Sequence, residues 1–123
     1  MKIPENYQTV MPYLILENAV GFIEFTKKVF DAKETHKTMR DENTIMHAEI
    51  MIGGSTIMFA EATKDFKVSN AGLFVYVDNA DERFETALSN GSSIVTELSN
   101  QPYGRSGGIK DPFGNVWWIT SVK

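Results

Sequence analysis

His47 and Glu49 stand two residues apart in a strand-like stretch, TIMHAEIMI (residues 44–52). Side chains of a strand alternate between faces, so Met46, Ala48, Ile50 and Ile52 form one apolar face and His47, Glu49 and Met51 the other. An imidazole and a carboxylate side by side can act as an acid/base pair, or supply two ligands to a metal ion. The pair also fits a solvated rim, where it only makes the outer face of a strand polar. A second candidate set lies in QPYGRSGG (101–108). There Tyr103 and Arg105 fall in a Gly-containing loop over residues 101–107, able to close on a ligand, with Arg105 available to a carboxylate or phosphate. The string GRSGG is not a P-loop, because it lacks the G-K-[ST] ending and the strand-to-helix context. His36 and Arg40 read as surface residues of a weak strand over 34–40. Neither histidine has a motif that places it beside a nucleophile.

The elements that must position these groups follow from periodicity. Residues 9–16 (TVMPYLIL) predict a first strand, with Val10, Pro12, Leu14 and Leu16 on one face and Met11, Tyr13 and Ile15 on the other. Pro12 lacks an N–H, which implies an edge or a bulge. Asn18 is an N-cap for a helix over 19–30, whose stripe is Ala19, Phe22, Ile23, Phe25, Thr26, Val29 and Phe30. After the 44–52 strand, Gly53-Gly54 predicts a hairpin turn and 55–60 the returning strand. A polar connection, 63–70, leads to a strand in 71–78, with Leu73, Val75 and Val77 opposite Gly72, Phe74 and Tyr76. A helix over about 80–90 follows, with Ala80, Phe84, Ala87 and Leu88 inward, Asp81 and Glu82 in its first turn and Gly91 as its stop. Residues 93–98 read as a strand. Asp111-Pro112-Phe113-Gly114 is a turn that opens the last strand, whose β-branched and aromatic run is Val116-Trp117-Trp118-Ile119-Thr120.

At 123 residues, with 42% hydrophobic content, the chain fits one globular domain, or two half-size modules sharing a core. Its mean hydropathy is −0.21. A net charge of −4 and no Lys/Arg cluster argue against nucleic acid or an anionic membrane as partner. No cysteine is present, which excludes disulfides, thiolate metal sites and cysteine nucleophiles. No apolar run reaches about 18 residues and the first ten residues lack an apolar core, so a cytoplasmic protein is expected. No Gly-rich dinucleotide-type loop follows a strand, so no cofactor is expected.

The unit strand–helix–strands occurs twice, opened by Leu16-Glu17-Asn18-Ala19 and again by Val77-Asp78-Asn79-Ala80. With the DPFGNVWW ending, the chain resembles the vicinal oxygen chelate superfamily of glyoxalase I, extradiol dioxygenases and bleomycin-resistance proteins, nearest its short PhnB-like branch. The resemblance implies an α+β fold of two βαβββ modules, at about 7–62 and 71–121 of a single domain spanning 1–123. Their sheets would curl into a cup with helices outside. It also implies a homodimer. The superfamily's metal ligands would fall at Met11, Met58, Gly72 and Trp118, and none of these can hold a hard divalent ion. No glyoxalase-type metal is therefore expected. Tyr13, Ile15, Thr56, Ala60, Phe74, Tyr76, Val116 and Thr120 alternate with those positions and would also line the cup. Two functions follow. One is a binding module that holds a small organic ligand against Met11, Tyr13, Met58, Phe74, Tyr76, Tyr103, Arg105 and Trp118. The other is a lyase- or dioxygenase-type enzyme that uses His47 and Glu49 as an acid/base pair or in a non-standard metal site, with Tyr13 or Arg105 as a further participant.

Overall fold

The apolar stripe at helical spacing becomes α1 (Ala19–Phe30), and the seven residues assigned to it are the ones buried. Asn18 caps it, accepting from the Gly21 N–H at 3.0 Å. The Glu61 carboxylate takes the Asn18 and Ala19 N–H groups at 2.9 and 2.8 Å, an anionic partner for the helix N-terminus beside the neutral Asn18 amide. A computed structural model describes residues 1–123, with eight strands and two helices. The chain divides into two compact units, Met1–Asn70 and Ala71–Lys123.

In the first unit, β1 (Tyr13–Leu16), β2 (Lys33–Met39), β3 (Ile45–Ile52) and β4 (Ser55–Glu61) form a mixed sheet in the order β1-β4-β3-β2. β1 and β4 run parallel, and the other pairs antiparallel. Helix α1 packs on β3 and β4, where Phe22 meets Phe59 edge-on at 4.9 Å between ring centroids. Burying a side chain such as Phe22 stabilises the unit by about 1.5–3 kcal/mol.

Two expectations are corrected here. The first strand begins at Tyr13 rather than residue 9, because Pro12 offers no N–H; the Pro12 carbonyl still accepts from Met58 N at 3.0 Å, on an edge strand. In β3, Ala48 and Ile50 are buried as expected, but Ile45 is buried in place of Met46, which is exposed. A register shift between Thr38 and Met39 breaks the alternation there.

In the second unit, β5 (Gly72–Tyr76), β6 (Ser93–Gln101), β7 (Gly104–Lys110) and β8 (Val116–Val122) repeat the plan in the order β5-β8-β7-β6, with β5 parallel to β8. Helix α2 (Ala80–Ser89), capped by Asn79, packs on β6, β7 and β8 through Ala80, Phe84 and Ala87. The loop expected over 101–107 is not one. β6 extends to Gln101, β7 starts at Gly104, and only Pro102-Tyr103 turns between them. Gly104 permits this hairpin: its φ is +147, and a Cβ there would run into the Ser121 carbonyl. The expected α+β fold of two βαβββ modules is the fold observed.

Candidate functional site

Strand register assembles the polar residues of the first unit. Tyr13 pairs with Met58, Met58 with Glu49 and Glu49 with His36, so these four form one row across the sheet. His47 lies one step along, opposite Thr38. The expected facing of His47 and Glu49 is observed, and the two side chains meet, with His47 Nε2 2.7 Å from Glu49 Oε2. Tyr13 Oη lies 3.0 Å from His47 Nδ1, and their rings lie 5.5 Å apart. Tyr7 donates its O–H to Glu49 Oε1 at 2.5 Å. The result is one hydrogen-bonded chain, Tyr13–His47–Glu49–Tyr7. His36, exposed, lies 5.8 Å from the His47 ring and bonds Thr38 Oγ1 at 3.0 Å.

Tyr7 is the participant that sequence reasoning missed. It sits in an aperiodic N-terminal segment, and only tertiary contacts bring it to the sheet. Thr56 Oγ1 donates to the Asn6 carbonyl at 2.6 Å, and Gln8 Nε2 donates to the Thr56 carbonyl at 2.9 Å. These bonds hold residues 6–8 against β4.

Glu49 is 5% exposed. Burial acts to raise its carboxyl, but hydrogen bonds from Tyr7 and His47, and the charge of both histidines, outweigh it and hold the group below its ordinary value of 4.5. The same bond to the carboxylate raises the Tyr7 phenol above 10.0, helped by burial and the Glu49 charge. A carboxyl lowered in the folded state releases its proton more readily there than in the unfolded chain. Its stabilisation is therefore full above pH 4.5 and is lost as pH falls through the lowered value. We expect wild type to lose more stability than Glu49→Gln between neutral and strongly acid pH. Urea midpoints at several pH values check this; parallel curves would remove Glu49 from the acid transition.

The second unit carries an aromatic face. Phe74 and Trp118 are register partners, and Phe74, Tyr76, Tyr103 and Trp118 are 52, 64, 55 and 36% exposed. Phe74 lies 5.2 Å from Tyr76, edge-on, and 6.4 Å from Tyr103. On the opposite face Val75, Trp117 and Ile119 are buried. Within that aromatic face, the Trp118 indole crosses Gly108: a Cβ at Gly108 would stand 2.6 Å from Trp118 Cζ3. Gly108→Ala should therefore lift the indole off the sheet, shift its emission and cost about 1–3 kcal/mol. Denaturant unfolding and the emission spectrum of the variant read both; an unchanged spectrum would show that the ring does not rest there.

The remaining assigned residues separate by unit. Met11 is half-buried just before β1, and Met58 lies between Tyr13 and Glu49 in the row. Thr56 and Thr120, placed by alternation on the lining, are buried: Thr56 lies beneath the N-terminal segment and Thr120 Oγ1 is 2.8 Å from Ser106 Oγ. Arg105 is not in a mobile loop but on β7. Its guanidinium grips Asp81 of α2 through two bonds, 2.8 and 3.0 Å, and Asn100 at 3.2 Å. Arg105 holds the Asp81 carboxyl below its ordinary value by hydrogen bond and charge.

The four positions to which the resemblance assigns the superfamily's metal ligands carry no side chain suited to a hard divalent ion. Met11 and Met58 offer thioethers, Gly72 offers no side chain and Trp118 offers an indole packed on Gly108. His47 and Glu49 already satisfy one another and two phenols, and no three His, Asp or Glu side chains form a group that could hold an ion.

The comparisons with known proteins agree with the topology. The chain is 30% identical to an uncharacterised protein of Mycobacterium bovis, over 86% of this chain and 78% of that protein. A PhnB protein from Bacillus cereus superposes with a TM-score of 0.73 at 20% identity, covering 94% of this chain and all of that one. TnmS3, an antibiotic binding protein from Streptomyces sp. CB03234, gives 0.73 at 15% identity, over 100 and 99% of the two chains. The profile of the Glyoxalase/Bleomycin resistance protein/Dioxygenase superfamily matches residues 17–119, and the protein belongs to that superfamily.

Proposed function

We propose that this protein binds a small organic molecule with a flat unsaturated surface, without a glyoxalase-type metal ion. The observation that carries this reading is the aromatic face of the second unit, where Phe74, Tyr76, Tyr103 and Trp118 lie half-exposed on one side of a sheet. Exposed aromatic clusters stack on planar ligands and are costly to leave in water. Met11, Tyr13 and Met58 give the first unit a lining of similar chemistry, with adaptable thioethers. The antibiotic-binding activity named for TnmS3 supports the reading by likeness of fold. Arg105 enters only if a ligand anion displaces Asp81. A thermal-shift screen of planar polycyclic compounds tests it: a saturable rise in Tm is expected with some of them, and a flat response to all would count against it.

A second reading, catalysis by His47 and Glu49, is favoured by one specific observation, the continuous chain from Tyr13 to Tyr7. Such a chain can move a proton, which a merely solvated rim does not require.

A further inference from the structure

We propose that Tyr13 is the group that exchanges a proton with an organic ligand, and that His47, backed by Glu49, takes up the phenolic proton. Counting the polar atoms leads there. Both ring nitrogens of His47 are engaged, Nδ1 by Tyr13 and Nε2 by Glu49. Both oxygens of Glu49 are engaged, by His47 and Tyr7, and the residue is 5% exposed. Tyr13 is 51% exposed, the most exposed member of the chain, and its oxygen keeps lone pairs beyond the bond to His47.

The direction of the bonds follows from the carboxylate. An ionised Glu49 only accepts, so His47 carries hydrogen on Nε2. In neutral imidazole, Nδ1 is then the acceptor, and the Tyr13 O–H donates to it. Carboxylate, imidazole and hydroxyl stand in the order used to activate hydroxyl nucleophiles, with a phenol in place of an aliphatic alcohol. Tyr7 is a positioning residue: it occupies the second carboxylate oxygen and fixes the direction of the first.

The step balances without a co-reactant. A weakly acidic ligand hydroxyl, such as a phenol or enol, gives its proton to the Tyr13 oxygen. The phenolic proton of Tyr13 passes to His47 Nδ1, and the ligand is left as an oxyanion beside an imidazolium paired with Glu49. The reverse transfer restores the resting state. The substrate class rests on the organic-ligand reading above; the reactivity of the phenol does not.

The test therefore uses no natural ligand. N-acetylimidazole is added to the full chain, and acetylation of each tyrosine is followed by peptide mass spectrometry. The Tyr13 oxygen attacks the acetyl carbonyl, its proton goes to His47 and from there to the departing ring nitrogen, and imidazole leaves. Tyr76 and Tyr103, 64 and 55% exposed, are internal references. Tyr13 should react about tenfold or more faster than either. In His47→Gln it should fall to the reference rate while Tyr76 and Tyr103 keep theirs, with an unchanged circular dichroism spectrum and Tm to show that the fold survives. Tyr7→Phe should lower the Tyr13 rate several-fold with the references unmoved.

Equal rates for all three tyrosines, or a Tyr13 rate indifferent to His47→Gln, would overturn the proposal. Loss of ligand binding at the aromatic face would leave these rates unchanged, so the two readings fail separately.

Discussion

Asp111→Ala is expected to destabilise the protein by about 3–5 kcal/mol, the largest effect of any single substitution considered. Asp111 is 4% exposed, and its carboxylate organises the turn before β8. Oδ1 accepts from the Phe113 and Asn115 backbone N–H groups, each at 2.9 Å. Oδ2 accepts from Asn115 Nδ2 at 3.0 Å and from the Trp117 indole N–H at 2.8 Å. Asn115 Oδ1 in turn accepts from Ala71 N at 3.1 Å, which ties the turn to the segment entering β5. Alanine would leave three buried donors, Asn115 N, Asn115 Nδ2 and Trp117 Nε1, without their carboxylate. Since small domains are stable by only about 5–15 kcal/mol, the variant would be close to unfolding at ordinary temperature. Urea denaturation followed by tryptophan emission measures this. Asp111→Asn should lose less, because its carbonyl oxygen keeps part of the set; a loss within 1 kcal/mol for Ala, on the order of one exposed hydrogen bond, would show that the network is not what holds the turn.

Trp118→Ala is expected to weaken binding of a planar organic ligand by about 10–100-fold, with Phe74→Ala close behind. Removing one stacked aromatic surface costs about 1–3 kcal/mol, and each 1.4 kcal/mol is about tenfold in affinity. The two residues are register partners on adjacent parallel strands, so they should act on the same ligand and their losses should not simply add. Trp117 offers the control for emission: it is 1% exposed, so quenching by a ligand reports on Trp118. Fluorescence titration of wild type and Phe74→Ala, and calorimetric titration of Trp118→Ala, check the prediction. Tyr103→Ala, at the hairpin, should cost less than either because Tyr103 stands at the margin of the cluster.

Most of the architecture was legible from local chemistry. The α1 stripe, the Asn18 cap, the hairpin at Gly53-Gly54 and the Asp-Pro-Phe-Gly turn each depend on residues close in sequence. The turn takes the expected form, with a bond from Gly114 N to the Asp111 carbonyl at 3.1 Å and φ +94 at Gly114. What the periodicity could not show depended on partners distant in the chain. Glu61 at the α1 N-terminus, Tyr7 on Glu49 and Asp81 on Arg105 are contacts 24 to 43 residues apart. Bulges defeat alternation as well, since one extra residue exchanges the faces and put Ile45 inside where Met46 was expected. Gly-rich composition misled once: Gly104, Gly107 and Gly108 belong to β7, where small residues admit Phe84, Leu98 and Trp118 at close range.

The facing of His47 and Glu49 was readable from alternation alone, and their direct bond follows from it. Tyr13 could be named as a participant, but not as the outer member of the chain, which needs β1 to lie two strands away from β3 across β4.

The central claim is that an organic ligand binds without metal, and calorimetric titration tests it most directly. The strongest compound from the thermal-shift screen would be titrated into chelator-treated protein, then into the same protein supplied with a divalent ion. We expect stoichiometric binding with the same Kd in both, and a loss of about 10–100-fold in Trp118→Ala. Binding that requires the added ion would contradict the metal-free claim, and binding that ignores Trp118→Ala and Phe74→Ala alike would mean that the aromatic face is not the site.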